Sequence, residues 1–179
     1  MKKLLLLVAL LALSACEDSN FKLMPAAQVA FENARLSRAK PYKEAANEIG
    51  KSQIFNYAND ETVRIALQNQ ERIDGWISTI STIKTSQGGL DVTVTLKSPL
   101  KSVYRSETTF GIGIPKNDPV YNQIAELRDG DSVRFNGTLV RNPMTLKDPK
   151  PIFERSITEA GSLEEPEYEV KLTSISKAR

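Results

Sequence analysis

The sequence predicts an α+β protein in which N-terminal helices precede a five-stranded Greek-key barrel with one helix between strands three and four. Three observations predict it. Apolar residues recur at helical spacing as far as about residue 69; from residue 70 they alternate with a period of two; and a single capped helical pattern interrupts the alternation after the third strand.

Pro25 to Lys40 carries Val29, Phe31, Ala34 and Leu36 among polar residues, the spacing of a short amphipathic helix, and Pro41 restarts the chain. Tyr42 to Asn56 and Asp60 to Gln68 repeat the character, with Asn59 or Asp60 placed to cap the second piece and Glu61 near its positive end. Arg72 to Thr85 is rich in Ile, Thr and Ser, and its apolar positions change phase between Ile73, Ile77 and Ile80, Ile83. A long strand with a bend or bulge accounts for that shift. Gln87-Gly88-Gly89 turns the chain into Leu90, Val92, Val94 and Leu96, which alternate cleanly with polar residues. Ser102 to Ile114 is the third strand. Asp118 to Leu127 is a helix capped by Asn117 or Asp118, with Pro119 in its first turn. Val133, Phe135, Gly137 and Leu139 mark the fourth strand, and Tyr168 to Ser176 the fifth.

Three strands, a helix and two strands is the order of an oligonucleotide/oligosaccharide-binding (OB-like) barrel, in which that helix plugs one end. The inward positions expected are Val92, Val94, Phe110, Ile112, Val133, Phe135 and Leu139, with Gly75 or Gly137 relieving crowding where strands curl. The chain divides into a leader over 1–15, a tether over 16–24, a helical segment over 25–69 and the barrel over 70–179.

The leader speaks to location. Met1-Lys2-Lys3 is basic, Leu4 to Leu13 is almost wholly apolar, and Ser14-Ala15-Cys16 follows: the layout of a secretory signal with a small-residue cleavage site. Ten to a dozen apolar residues fall short of the roughly 20 that span a bilayer. Leu13-Ser14-Ala15-Cys16 resembles the lipobox of bacterial lipoproteins, and Cys16 is the only cysteine. The resemblance implies an acylated Cys16 and attachment to the membrane through its chains. Burial is worth ~0.8 kcal/mol per acyl CH₂, so several chains on one residue hold firmly. Glu17, not aspartate, follows the cysteine, which in a Gram-negative cell points to the outer membrane, facing the periplasm.

Loss of the leader changes the charge balance. Of 24 Lys and Arg, Lys2 and Lys3 leave with the signal, and the remaining 22 match the 22 Asp and Glu. A neutral exported chain argues against nucleic acid as partner, because phosphate neutralisation supplies most of that affinity.

Trp76 with Ile77-Ser78-Thr79-Ile80, Gly113-Ile114-Pro115, Asp118-Pro119-Val120-Tyr121, Leu127 to Gly130, Val133-Arg134-Phe135-Asn136-Gly137, Glu154 to Glu159, Gly161-Ser162 and Pro166-Glu167-Tyr168 together resemble a group of bacterial envelope proteins built on such a barrel. The resemblance covers roughly 47–176. It implies the fold and carries no assigned reaction or catalytic residues.

With no histidine and its one cysteine at the lipobox, the chain lacks the residues of Ser-His-Asp or Cys-His catalysis and of His- or Cys-based metal sites. No cofactor or metal is expected. Carboxylate chemistry is the enzymatic alternative, through Glu164, Glu165, Glu167 and Glu169 or Glu154 and Glu159 around Arg155, since glycoside hydrolysis needs two carboxylates facing across a cleft. For binding, the fold uses strands two and three and the loops joining strands one to two and four to five. Lys97, Lys101, Tyr104, Arg105, Arg134 and Arg141 are the candidate residues, able to stack on rings and clamp anions. The reading is therefore a non-enzymatic, membrane-anchored binding or adaptor module for an envelope protein, peptide or glycan. A carboxylate-dependent envelope hydrolase is the alternative, and an envelope nucleic-acid binder a more distant one.

Overall fold

The computed structural model describes residues 21–101, 107–141, 152 and 154–178. After a 3₁₀ turn at Phe21–Leu23 come three helices, α1 (Ala26–Leu36), α2 (Ala39–Glu44) and α3 (Glu48–Gln68). Strands β1 (Arg72–Thr85), β2 (Asp91–Lys101) and β3 (Glu107–Pro115) follow, then α4 (Pro119–Ile124), β4 (Ser132–Leu139), α5 (Glu159–Glu164) and β5 (Glu167–Lys177). The α+β class and the helix between the third and fourth strands are those the sequence predicts; α5, between β4 and β5, is an addition to the expected order.

The helices depart from the expected boundaries. The first break falls at Ser37 and Arg38, and Pro41 sits in the first turn of α2, where its missing N–H costs no helical bond. The pieces expected at Tyr42–Asn56 and Asp60–Gln68 are one helix from Glu48, capped by Asn47, whose side chain accepts from Gly50 N at 2.9 Å. Asn59 does not cap anything. Its Oδ1 accepts a hydrogen bond from Arg35 of α1 at 2.9 Å, and Ala58, Thr62, Ile65 and Ala66 carry one buried face across the supposed break.

The strands pair in the ring β1-β2-β3-β5-β4, which returns to β1. All neighbours are antiparallel except β3 and β5, which run parallel over three rows, Thr109↔Glu167 to Gly111↔Glu169. The bend expected in β1 is two register shifts, one between Ile73 and Trp76 against β4 and one between Ile80 and Thr82 against β2. Gly75 adopts φ +64 at the first shift, a conformation that glycine takes without strain. Gly88 and Gly89, at φ +79 and +64, turn β1 into β2.

Val92, Val94, Phe110, Val133, Phe135 and Leu139 are buried as expected. The side chain of Ile112 lies outside the described residues. One core fills the barrel and extends into the helices: Phe31 of α1 stands 5.2 Å from Trp76 and 4.9 Å from Tyr168, ring centre to centre, and Phe110 lies 5.6 Å from both Trp76 and Phe135. At the far end of β1, Val120, Ile124 and Leu127 enter the same core from α4 and the residues after it. Asp118 caps α4, accepting from Val120 N at 2.8 Å. The barrel is filled from both ends.

Two helix side chains complete the barrel's backbone pairing. β1 meets β2 only from Thr79 onward, which leaves the main chain of Ile77 without a strand on that side. Gln28 of α1 stands there instead, its Oε1 accepting from Ile77 N at 2.8 Å and its Nε2 donating to Ile77 O at 2.7 Å. Likewise β5 runs on past its short pairing with β3, and Gln123 of α4 accepts from Ile175 N at 2.9 Å. A second small core, Met24, Leu36, Ile77 and Leu100, lies outside the barrel. Met24, the last residue of the stretch read from sequence as tether, is buried in it.

Candidate functional site

Among the described sequence-derived candidates, Lys97 and Arg134 flank β1 on its two sides and Arg141 stands apart. Arg141 is exposed, but its Nε donates to Glu71 Oε2 at 2.9 Å. Glu71 is buried at the junction of α3 and β1 with φ +59, and its backbone O accepts from Leu139 N at 2.9 Å. Arg141 thus ties the end of β4 to the helical layer. Lys97 stands on β2 opposite Thr79 of β1 and Thr109 of β3. Lys101 ends β2 opposite Glu107, with its side chain outside the described residues. Tyr104, Arg105 and Cys16 lie outside them altogether.

Arg134 is the candidate that borders a cavity. It projects outward from β4, opposite Ile77 of β1 and Ser176 of β5. Gly75 makes room for it: a Cβ there would stand 3.1 Å from Arg134 Nη1, which donates to Gly75 O at 3.3 Å. Beside it a cleft of about 820 Å³ runs between α4 and the outer side of β5, lined by Asn122, Gln123, Glu126, Leu127, Arg134, Ser174, Ile175, Ser176 and Lys177. Ile175 is buried with its side chain in the barrel core, so β5 offers the cleft largely main chain and the two serine side chains. Ser174 Oγ accepts from Asn136 Nδ2 at 2.7 Å, and Asn136 Oδ1 accepts from Gly75 N, which fixes the floor. Amides, hydroxyls, one guanidinium, one ammonium and one carboxylate set in a largely apolar lining suit recognition of a ligand with both polar and apolar parts.

Asp131 closes one end of this region. Its carboxylate lies 3.1 Å from Lys177 Nζ and accepts from Arg128 N at 2.9 Å. The Lys177 hydrogen bond, then the backbone one, holds its pKa below the ordinary 3.8. A carboxyl depressed in the folded state stabilises above its unfolded value and loses that contribution as pH falls through the folded one. The Lys177–Asp131 contact should therefore survive at pH 4 and open only on further acidification. An NMR titration of the Arg128 amide checks this; opening above pH 4 would refute it.

Of the carboxylates an envelope hydrolase would need, Glu154, Glu159, Glu164 and Glu169 are engaged by other side chains. Arg35, almost fully buried on α1, donates to Ser162 Oγ of α5 and lies 3.9 Å from Glu154 Oε2. Glu154 Oε2 also accepts from Ser162 Oγ at 2.7 Å, and its Oε1 from Ser156 N at 3.0 Å and Glu167 N at 3.3 Å. Glu159 accepts from Tyr42 OH at 3.2 Å, Glu164 pairs with Lys43 at 2.8 Å and Glu169 with Arg155 at 2.8 Å. These acids hold α1, α2 and the Glu154–Glu169 region together. Tyr168, beneath Arg35, has its pKa raised by burial, so its hydroxyl stays protonated across the physiological range.

Sequence reasoning missed α5 and the cleft's α4 wall. Thr158, whose Oγ1 accepts from Gly161 N at 3.0 Å, is the capping signal that marks α5. Asn122, Gln123, Ser174 and Ser176 read as ordinary solvated positions, and no linear pattern joins them. Among the described residues no group of three acidic or cysteine side chains is placed to hold a metal ion, and no helix is long and apolar enough to cross a membrane. Comparison with protein-family models, curated proteins and solved structures gives no match.

Proposed function

We propose that this chain is a membrane-anchored bacterial lipoprotein whose OB-like barrel is a non-enzymatic binding or adaptor module for an envelope protein, peptide or glycan. The leader 1–15 directs export, and acylated Cys16 attaches the mature chain to the membrane, the outer membrane facing the periplasm in a Gram-negative cell. Support for the OB assignment is the pairing order with the short parallel β3–β5 closure and the helix between the third and fourth strands. The observation that carries the binding reading is the position of the cleft. With both barrel ends filled by side chains, recognition falls to the outer flank, where Arg134, Ser174 and Ser176 face α4 across open space. The hydrolase alternative is less supported, because Glu154, Glu159 and Glu164 already have partners in the helical layer and Glu169 is paired with Arg155.

Affinity capture from detergent-solubilised membranes tests this, with wild type compared to Ser176→Trp, which fills the cleft from an exposed position. One envelope component should be enriched on wild type and lost at least about tenfold on the variant, the effect of removing roughly 1.4 kcal/mol of binding energy. Equal capture by both would sink the cleft. An unmodified Cys16 in the mass spectrum of the bait would sink the anchor.

A further inference from the structure

Near the start of the described residues, one side chain fixes where the chain meets the barrel. Met24 is buried against Ile77, Leu36 and Leu100, on the outer side of β1. The five residues from Cys16 to Phe21 reach at most about 18 Å even when fully extended. An acyl group on Cys16 therefore holds the Ile77 side of the barrel near the lipid surface, whatever path the tether takes. The opposite end of β1 is far away: Thr85 lies eight residues along the strand, about 26 Å at 3.3 Å per residue.

The side so placed carries a ring of cations. Arg134 is the direct cross-strand neighbour of Ile77. Lys97 is that of Thr79, two residues on and on the same outward face. Lys22 stands two residues before Met24, whereas Lys177, opposite core-facing Val133 and bridged to Asp131, lies at the barrel mouth beside this side. Lys101 follows Leu100 of the Met24 core. Acidic residues at this rim are Asp131, bridged to Lys177, Glu107, opposite Lys101 in register, and Glu126 in the cleft beside Arg134. Leu23, partly exposed in the turn, adds an apolar residue beside Lys22.

Resting on the lipoprotein reading above, we infer that the N-terminal turn packed over Ile77 on the outer side of β1, flanked by Lys22, Lys97 and Arg134, lies against the anionic phospholipid headgroups of the leaflet that holds the anchor. A tether of at most about 18 Å lets these cations reach the surface, and their attraction to anionic lipid takes hold within about one Debye length, ~8 Å at physiological ionic strength. The anchor supplies proximity and the cations supply orientation. The turn at Gln87–Gly89 then points away from the membrane, and the cleft beside Arg134 opens along the flank.

The test uses the full lipidated chain reconstituted into vesicles, with mass spectrometry of Cys16 reading the anchor separately. A fluorophore is placed on Thr79→Cys, on the inferred contact face, or on Leu90→Cys, which is 70% exposed near the far end of β1. A headgroup-attached quencher reads depth. In vesicles containing phosphatidylglycerol, quenching at position 79 should exceed that at 90 several-fold, and the ratio should fall towards one in pure phosphatidylcholine, at high salt, or in Lys97→Glu/Arg134→Glu. Equal quenching at both positions with an acylated Cys16 would overturn the inferred face and leave the anchor standing. An unacylated Cys16 would overturn both. Because the lipid and salt comparisons use unaltered charges, a misfolded charge-reversal variant does not blunt the result.

Discussion

Gly137→Ala is expected to lower stability by about 3 kcal/mol, the upper end of the usual cost of overpacking a fixed interior. A Cβ on Gly137 would stand 2.5 Å from the backbone oxygen of Lys171 and 3.1 Å from Val170 Cγ1. The first of these cannot swing aside, because it belongs to β5 at the point where the β4–β5 register shifts between Asn136 and Gly137. Relief requires the two strands to part along their shared ladder. For a domain of this size the cost corresponds to a melting temperature lower by roughly 6 to 12 °C. Gly113→Ala is the control, since nothing lies within 4 Å of a Cβ there, and it should be near neutral. Thermal unfolding followed by circular dichroism decides the matter; a Gly137→Ala protein that melts with wild type would refute the packing argument.

Gln28→Leu should cost as much or more, through hydrogen bonding instead of volume. Gln28 is fully buried, and its amide gives Ile77 both a donor and an acceptor while also donating to Glu32 Oε1 at 2.8 Å. Leucine fills similar space and leaves the N–H and C=O of Ile77 unmet in a dry interior, at about 1 to 3 kcal/mol for each group. A total near 4 kcal/mol is expected, with loss of amide protection at Ile77 before the rest of β1. Gln28→Glu keeps an acceptor for Ile77 N but removes the donor to Ile77 O and sets a second buried carboxylate against Glu32, so it should cost at least as much as leucine at neutral pH. Hydrogen exchange at Ile77 separates this from a general loss of packing: unchanged protection in Gln28→Leu would show that α1 is not held on the barrel by this amide.

These two positions also show what could be read from the linear chain. Gly137 was legible as a site of strand curl because glycine interrupts an otherwise bulky alternation. The strands were legible for a related reason: a barrel buries one face of each, and a period of two survives any detail of register. The helices were harder. Their apolar stripe is diluted by Gln28, Glu32 and Arg35, which lie buried on the same side of α1 as Phe31. Polar residues at that spacing look like solvent-facing positions unless their partners are known, and those partners are 49 residues away for Gln28 and 127 for Arg35. The apparent cap at Asn59 has the same origin, a local signal overridden by a distant guanidinium. Of the candidate site, Arg134 was named from sequence because its charge stands out in an alternating strand. Asn122, Gln123, Ser174 and Ser176 were not, because a cleft assembled from a helix and a non-adjacent strand leaves no periodic trace.

The glutamines that stand beside Ile77 and Ile175 also bear on the company this protein keeps. A strand with unmatched main-chain groups is a template for the same strand of a neighbouring copy, and such edges promote sheet growth from molecule to molecule. On the lipoprotein reading proposed above, molecules attached to one membrane share a plane and meet far more often than the same number in free solution. Gln28 and Gln123 occupy two of those docking points from within, each on a helix too bulky to extend a sheet. Crowded on a surface, the barrels would slide past one another where bare strands would zip together.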